Sequence, residues 1–68
     1  MNDQIIASIN DCYDEELNDN KKYSDLSDFA NKNGCTQAAK IFKDLAHEEY
    51  THACILHSLK TYIEGKNL

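Results

Sequence analysis

The sequence has 68 residues, enough for one small domain whose modest core needs a disulfide, a metal ion or a partner subunit to stabilise it. Seven Lys and Arg stand against twelve Asp and Glu, a formal net charge of −5 without any basic cluster, so nucleic-acid binding is not expected. No apolar run approaches the roughly 20 residues that span a bilayer, and the first ten residues lack the features of a secretory signal, so we expect a cytoplasmic protein without membrane contact.

Two long helices are predicted, and together they occupy nearly the whole chain. The first runs from about residue 3 to residue 32, with Asn2 or Asp3 as its cap. Gly34 ends it, because glycine readily takes the left-handed conformation that closes a helix. The second runs from about residue 36 to residue 64, and Gly65 is its expected terminating residue. The predicted fold is all-α, a single domain formed by an antiparallel helical hairpin.

Each helix carries an apolar stripe that is interrupted by polar residues in its middle. Steps of three and four in the first helix select Ile5, Ile9, Cys12, Glu16, Asp19, Tyr23, Leu26 and Ala30. The same steps in the second helix select Ala38, Phe42, Leu45, Glu49, His52, Leu56, Leu59 and Ile63. If the chain folds back at Gly34, residue n lies level with residue 68 − n, and the two polar patches meet. Glu16 is then level with His52.

The polar patch is typical of a metal site. Glu49 and His52 are three residues apart and share one helix face. A carboxylate in a packing seam is unfavourable without a compensating partner, and neither stripe contains Lys or Arg. A divalent cation would compensate both Glu16 and Glu49, and His52 would add a nitrogen ligand. We therefore predict that Glu16, Glu49 and His52 bind metal.

One hairpin supplies only three ligands and half of a helical bundle. Two hairpins related by a twofold axis would bury both stripes in a four-helix bundle and bring together four glutamates and two histidines. Four carboxylates balance two divalent ions. This is the ligand set of the di-iron carboxylate bundles, in which two helices each supply a Glu and two supply Glu-x-x-His. We expect a homodimer that holds one di-iron centre.

The sequence resembles the ferritin-like superfamily, and the rubrerythrin branch in particular. The resemblance lies in "ELNDNKKY" (16–23), a Glu seven residues before a Tyr, and in "NGCTQAAKIFKDLAHEEYTHA" (33–53), with its Gly, its Gln-Ala-Ala run and its Glu-x-x-His-Ala. It spans roughly residues 12–57. By this resemblance Glu16 is a terminal or bridging ligand, Glu49 bridges two irons, His52 is the nitrogen ligand, and Tyr23 donates a hydrogen bond to a ligand carboxylate.

The resemblance also implies a function, with departures that affect it. Rubrerythrins reduce peroxide at a di-iron site that receives electrons from a four-cysteine module, and this sequence has only three cysteines, far apart. It also has one Glu and Glu-x-x-His half where family members normally carry two, and no additional ligand Glu is evident. We expect redox chemistry at iron, either Fe(II) oxidation or peroxide reduction with an external electron donor.

Other interpretations remain open at this point. The protein is alternatively a non-catalytic metal-binding module in which iron, zinc or manganese links the dimer, or a metal-free helical interaction protein whose polar layer fixes the register. A larger partner could supply the other two helices. Asp19 is expected to be solvated or to accept a hydrogen bond near the site rather than to bind metal. His47 and His57 are expected to lie on the surface, and Cys12 and Cys54 to be core or boundary residues.

Overall fold

The structure is a computed structural model that describes residues 2–66, with the side chains of residues 3–66. It contains two antiparallel helices, α1 (Asn2–Lys32) and α2 (Thr36–Lys66). They form a narrow hairpin with extents of 51 × 14 × 9 Å. The prediction of an all-helical hairpin is confirmed. Neither helix, over the part of the chain described, contains an apolar stretch long enough to cross a membrane.

A Schellman motif ends α1 and turns the chain. Gly34 has a φ of 76°, and its N–H donates to the carbonyl of Asn31 at 3.1 Å. The N–H of Cys35 donates to the carbonyl of Ala30 at 2.8 Å, which completes the motif. The carbonyl of Cys35 then accepts the N–H of Ala39 at 3.0 Å, so α2 begins directly after the turn. Only residues 33–35 separate the two helices, and their hydrogen bonds hold them in one conformation, so the turn restricts the register of the helices.

The substitution Gly34→Ala is expected to lower the free energy of unfolding by about 1–2 kcal/mol. A Cβ at this position would meet no atom within 4 Å, so the cost comes from the left-handed backbone alone. Gly65→Ala is the matched control, because its Cβ would also enter open space and its φ is not positive. We expect that control to leave stability unchanged or slightly raised in urea titrations. Equal effects of the two substitutions would contradict this view of the turn.

The two helices meet along one continuous contact line, which we call the inner seam. Every residue of the inner seam is buried or half-buried. In α1 it consists of Ile6, Ile9, Tyr13, Glu16, Asn20, Tyr23, Ser27 and Ala30. In α2 it consists of Ala39, Phe42, Ala46, Glu49, Ala53, Leu56, Lys60 and Ile63. Alanines at every seventh residue allow close approach of the helices, and two side chains of α1 use it to reach the backbone of α2.

These two hydrogen bonds fix the register of the hairpin. The Asn20 side chain donates to the carbonyl of Ala46 at 2.7 Å, and the Ser27 hydroxyl donates to the carbonyl of Ala39 at 2.7 Å. Both partners lie two residues from the positions expected from the rule that pairs residue n with residue 68 − n. The predicted register is therefore close, and it brings the two polar patches together.

The predicted stripes share every second residue with the inner seam, and at the other positions they lie one residue before it. They include residues that lie beside the contact line and remain exposed, such as Ile5, His52 and Leu59. They omit Ala46 and Ser27, which are buried on it. The reason is that the apolar face of each helix is wider than one helix–helix interface. A stripe drawn along the centre of that face therefore does not coincide with the line of contact between the helices.

Three smaller expectations are wrong. Gly65 does not end α2, which continues to Lys66. The Lys66 ammonium lies 5.6 Å from the ring centroid of Tyr62, a contact that a helical backbone through Gly65 permits. Cys12 and Cys54 are exposed rather than part of the core. They lie outside the inner seam, so the single hairpin leaves them in solvent.

Candidate metal centre

Glu16 of α1 and the pair Glu49 and His52 of α2 converge at the middle of the hairpin. Nδ1 of His52 lies 3.4 Å from Oε2 of Glu16 and 3.6 Å from Oε1 of Glu49. The three side chains each offer one ligand atom within 4.8 Å of the other two. They form the only such group of three or more His, Cys, Asp or Glu side chains found among residues 3–66. The sequence prediction selected the same three residues.

The inner seam positions these groups differently. Glu16 and Glu49 lie on the seam itself, and their side chains are 25% and 17% exposed. His52 lies beside the seam and is 53% exposed. One edge of its ring therefore faces the two carboxylates while the rest faces away from the hairpin. The site is closed by protein on the inner side and open on the outer side.

The electrostatics of the site favour a positive charge. Oε2 of Glu16 is shielded from solvent, and no group in the described part of the chain donates a hydrogen bond to it. The pKa of Glu49 is raised, first because its protonated carboxyl could donate a hydrogen bond to Glu16, then by burial and by the negative charge of Glu16. His52 opposes this shift, and Asp19 adds slightly to it. The two carboxylates thus lie so close together that binding of one proton or one cation between them is favourable.

The donor set fits a divalent transition metal. Ligand atoms about 2.0–2.2 Å from one ion lie about 3.0–3.5 Å from each other, which is close to the observed histidine–carboxylate distances. Two carboxylates neutralise one divalent ion, and imidazole is a preferred ligand of iron, zinc and related metals. An ion at this point would also supply the partner that Oε2 of Glu16 lacks. The residues present therefore fit a metal of this class.

The raised pKa of Glu49 predicts how the metal-free protein responds to pH. The pKa of this carboxyl is higher in the folded state than in the unfolded state. Such a group contributes its full stabilisation at low pH, where it is protonated in both states. The contribution is lost as pH rises through the pKa of the folded state. We expect the urea midpoint of the metal-free protein to fall as pH rises from the ordinary Glu range toward neutrality. Glu49→Gln should remove that slope, and an unchanged slope in this variant would contradict the assignment to Glu49.

Tyr23, the predicted hydrogen-bond donor to a ligand, lies on the inner seam two turns from Glu16. Its ring stacks on Phe42, with centroids 6.4 Å apart and planes at 20°. Among the hydrogen bonds of residues 3–66, none joins the Tyr23 hydroxyl to Glu16 or Glu49, so its proposed role stays a prediction. Its observed contact is the aromatic pair that packs the helices on the turn side of the site.

The remaining predicted polar residues lie on the surface. Asp19, His47 and His57 are all exposed, as expected. His57 lies 6.2 Å from Tyr13 between ring centroids, at the far side of the site from the turn. Asp19 is near enough to act on the pKa of Glu49 but belongs to no ligand group.

The sequence interpretation missed the residues that hold the site together. Asn20 lies one turn after Glu16 on the inner seam and bonds to the backbone of α2 one turn before Glu49. Ala46 and Ala53 are buried on either side of Glu49 along the inner seam. The signal was present as alanines spaced by seven residues, the spacing typical of a helix pair in close contact.

Two antiparallel helices that bring one Glu and one Glu-x-x-His to a common point form half of a ferritin-like carboxylate bundle. A comparison with known families agrees, because residues 9–67 match the sequence model of the rubrerythrin family. The chain belongs to the rubrerythrin family. Neither the curated proteins nor the solved structures contain a match to it. The family implies iron binding, and the Glu16, Glu49 and His52 group is the candidate for it.

Proposed function

We propose that the protein forms a homodimer that binds two iron ions between its hairpins and carries out redox chemistry at them. The activity is Fe(II) oxidation or peroxide reduction. Glu16, Glu49 and His52 of each chain are the proposed ligands. The observation that carries the proposal is the convergence of these three groups around the unsatisfied Oε2 of Glu16.

The family and the site both support iron. Rubrerythrin-type proteins bind iron through carboxylates and histidine, and the matched region contains all three candidate ligands. The rise in the pKa of Glu49 indicates that two carboxylates stand close together and that His52 does not fully offset their repulsion. Iron supplies the electron transfer when it is bound. The chain itself places the carboxylates, keeps Oε2 of Glu16 out of water, and leaves His52 open toward a second hairpin.

The exposed apolar surface supports a second copy. Ile5, Ile41, Ile55 and Leu59 are 42–60% exposed, whereas the buried apolar residues of the described chain are Ile9 and four alanines. A second hairpin over the open side of the site would cover such residues and add a second ligand set. Peroxide reduction would also need an external electron donor, since the chain has only three cysteines and no four-cysteine module.

Anaerobic addition of Fe(II) tests this function. We expect about two irons per dimer, a dimer by light scattering, and a ferric near-ultraviolet absorption that develops within seconds after air or peroxide is added. His52→Ala should lose both the bound iron and the fast oxidation. Monomeric protein that binds no iron would overturn the proposal.

A non-catalytic role for the metal is the second candidate, and the small core favours it. No large side chain among the described residues is fully buried, so a bound ion would contribute much of the stability of a dimer. This role predicts stable binding of zinc, manganese or iron without fast oxidation after air is admitted. The same experiment therefore separates the two candidates by the rate of ferric absorption.

A further inference from the structure

The helix α2 carries a second apolar stripe beside the inner seam, which we call the outer stripe. It follows steps of three and four and consists of Ala38, Ile41, Leu45, Glu48, His52, Ile55, Leu59 and Tyr62. Six of its eight residues are apolar, and four of these, Ile41, Ile55, Leu59 and Tyr62, are 44–60% exposed. A helix with two adjacent heptad stripes packs against two neighbours, and the hairpin provides only one.

The corresponding stripe of α1 is less suited to close packing. It runs through Ile5, Cys12, Asp19 and Leu26 on one edge and Ser8, Glu15, Lys22 and Phe29 on the other. Three charged residues occupy its middle, and only its ends are apolar. The main unpartnered apolar surface of the hairpin is therefore on α2.

The outer stripe is complementary to itself when reversed. In an antiparallel pair of α2 helices centred on the level of Tyr50, the residues that face each other have numbers that add up to 100. The facing pairs are Ala38 with Tyr62, Ile41 with Leu59, Leu45 with Ile55, and Glu48 with His52. At the ends of the stripe a small side chain faces a large one, and in between aliphatic side chains face each other. At the centre a carboxylate faces an imidazole.

We propose that two copies of the chain pair through this stripe, α2 against the partner's α2, so that Glu48 of each copy contacts the partner's His52. The inference rests on the homodimer of the proposed function and adds its geometry. A twofold axis through an antiparallel helix pair gives each contact twice. The metal sites then lie next to the axis, because Glu48 and His52 are central to the stripe.

Glu48 acts as a positioning residue in this arrangement. Nδ1 of His52 faces Glu16 and Glu49, and the side chain is 53% exposed, so Nε2 is on the open side of the ring. A carboxylate that accepts the N–H of a ligand histidine fixes the orientation and tautomer of the ring. Within its own helix Glu48 is exposed and belongs to no ion pair in residues 3–66, so it is available to the second copy.

A charge-pairing experiment tests the register. Ile41→Glu and Leu59→Lys are prepared as separate proteins in the zinc-loaded full chain, since both positions are exposed and should not disturb the hairpin. In each homodimer the introduced charge faces an apolar residue of the partner at two symmetric contacts. The dissociation constant of each homodimer should therefore rise about 100-fold. In the mixture, the introduced carboxylate of one copy faces the introduced ammonium of the other, while the second contact is the native Ile–Leu pair. We expect the mixture to form heterodimers in sedimentation experiments.

The matched control mixes Ile41→Glu with Ile41→Lys. In the antiparallel register the two substituted positions lie far apart, so this mixture should stay as weak as its components. Helicity by circular dichroism confirms that each variant is folded. One outcome would overturn the register but leave the proposed function standing. In it, the wild type is a dimer, but the Ile41→Glu and Leu59→Lys variants do not pair with each other, or pair no better than the control mixture. A wild-type protein that stays monomeric with metal would overturn both.

Glu48→Gln tests the contact with the partner's His52. Loss of a carboxylate that orients a ligand histidine typically weakens metal binding about 10–100-fold. We expect a loss in this range for Zn²⁺ in chelator competition, and no change for Asp44→Asn, which removes the same charge from an exposed position on α2. Equal Zn²⁺ affinity of the two variants would overturn the contact.

Discussion

Simultaneous replacement of Glu49 and His52 by leucine is expected to abolish metal binding and to stabilise the metal-free protein. Two of three ligands are removed, so the affinity for Fe(II) or Zn²⁺ should fall by more than about 100-fold. At the same time, the two carboxylates that crowd each other are reduced to one, and an apolar side chain enters the seam at position 49. The urea midpoint of the metal-free variant should therefore lie above that of the metal-free wild type.

The chain contains a matched control for this variant. Asp44 and His47 are also an acid and a histidine three residues apart on α2, but both are exposed. Asp44→Leu with His47→Leu should leave metal affinity intact and should not stabilise the fold. If the site variant keeps its metal, or if both double variants behave alike, Glu49 and His52 are not the ligands.

Metal removal is expected to have the largest effect on stability. An ion that binds only the folded state and is present at 1000 times its dissociation constant stabilises that state by about 4 kcal/mol. For a protein of this size, such a change moves the thermal midpoint by roughly 15–30 °C. A chelator should therefore lower the midpoint of the metal-loaded protein by that amount at fixed protein concentration.

The Glu49→Leu, His52→Leu variant is the reference for this measurement. Its thermal midpoint should not respond to the chelator, because it has no metal to lose. A wild-type midpoint that is equally insensitive would favour the metal-free helical interaction protein over both metal-binding functions.

The helices and the turn could be predicted because local chemistry determines them. Of the two glycines, both within the described residues, only Gly34 has a positive φ, and its position between two periodic segments identified it as a helix cap. Gly65 carried the same signal, but the helix continues through it to Lys66. A glycine near the end of a helix permits termination without causing it.

The candidate site could be predicted because charge in an apolar stripe is unusual. Glu16, Glu49 and His52 stood out on the predicted stripes, and the turn at Gly34 placed them at one level. The exact contact line could not be predicted in the same way. Alanine is weakly apolar, so Ala39, Ala46 and Ala53 add little to a hydrophobic pattern, yet all three are buried on the inner seam. The predicted stripe passed through their neighbours Ala38, Leu45 and His52 instead.

The alanines of the inner seam have a consequence for ion selectivity. The distance between helix axes depends on the side chains at their contact, and Ala46 is so close to α1 that Asn20 reaches its carbonyl at 2.7 Å. Glu16 stands on one helix and Glu49 on the other, so the width of the gap between the helices would determine the radius of the ion that both carboxylates could bind. The alanine side chains would thus influence which cation is bound without contacting it, because they set the spacing of the helices that carry the two carboxylates.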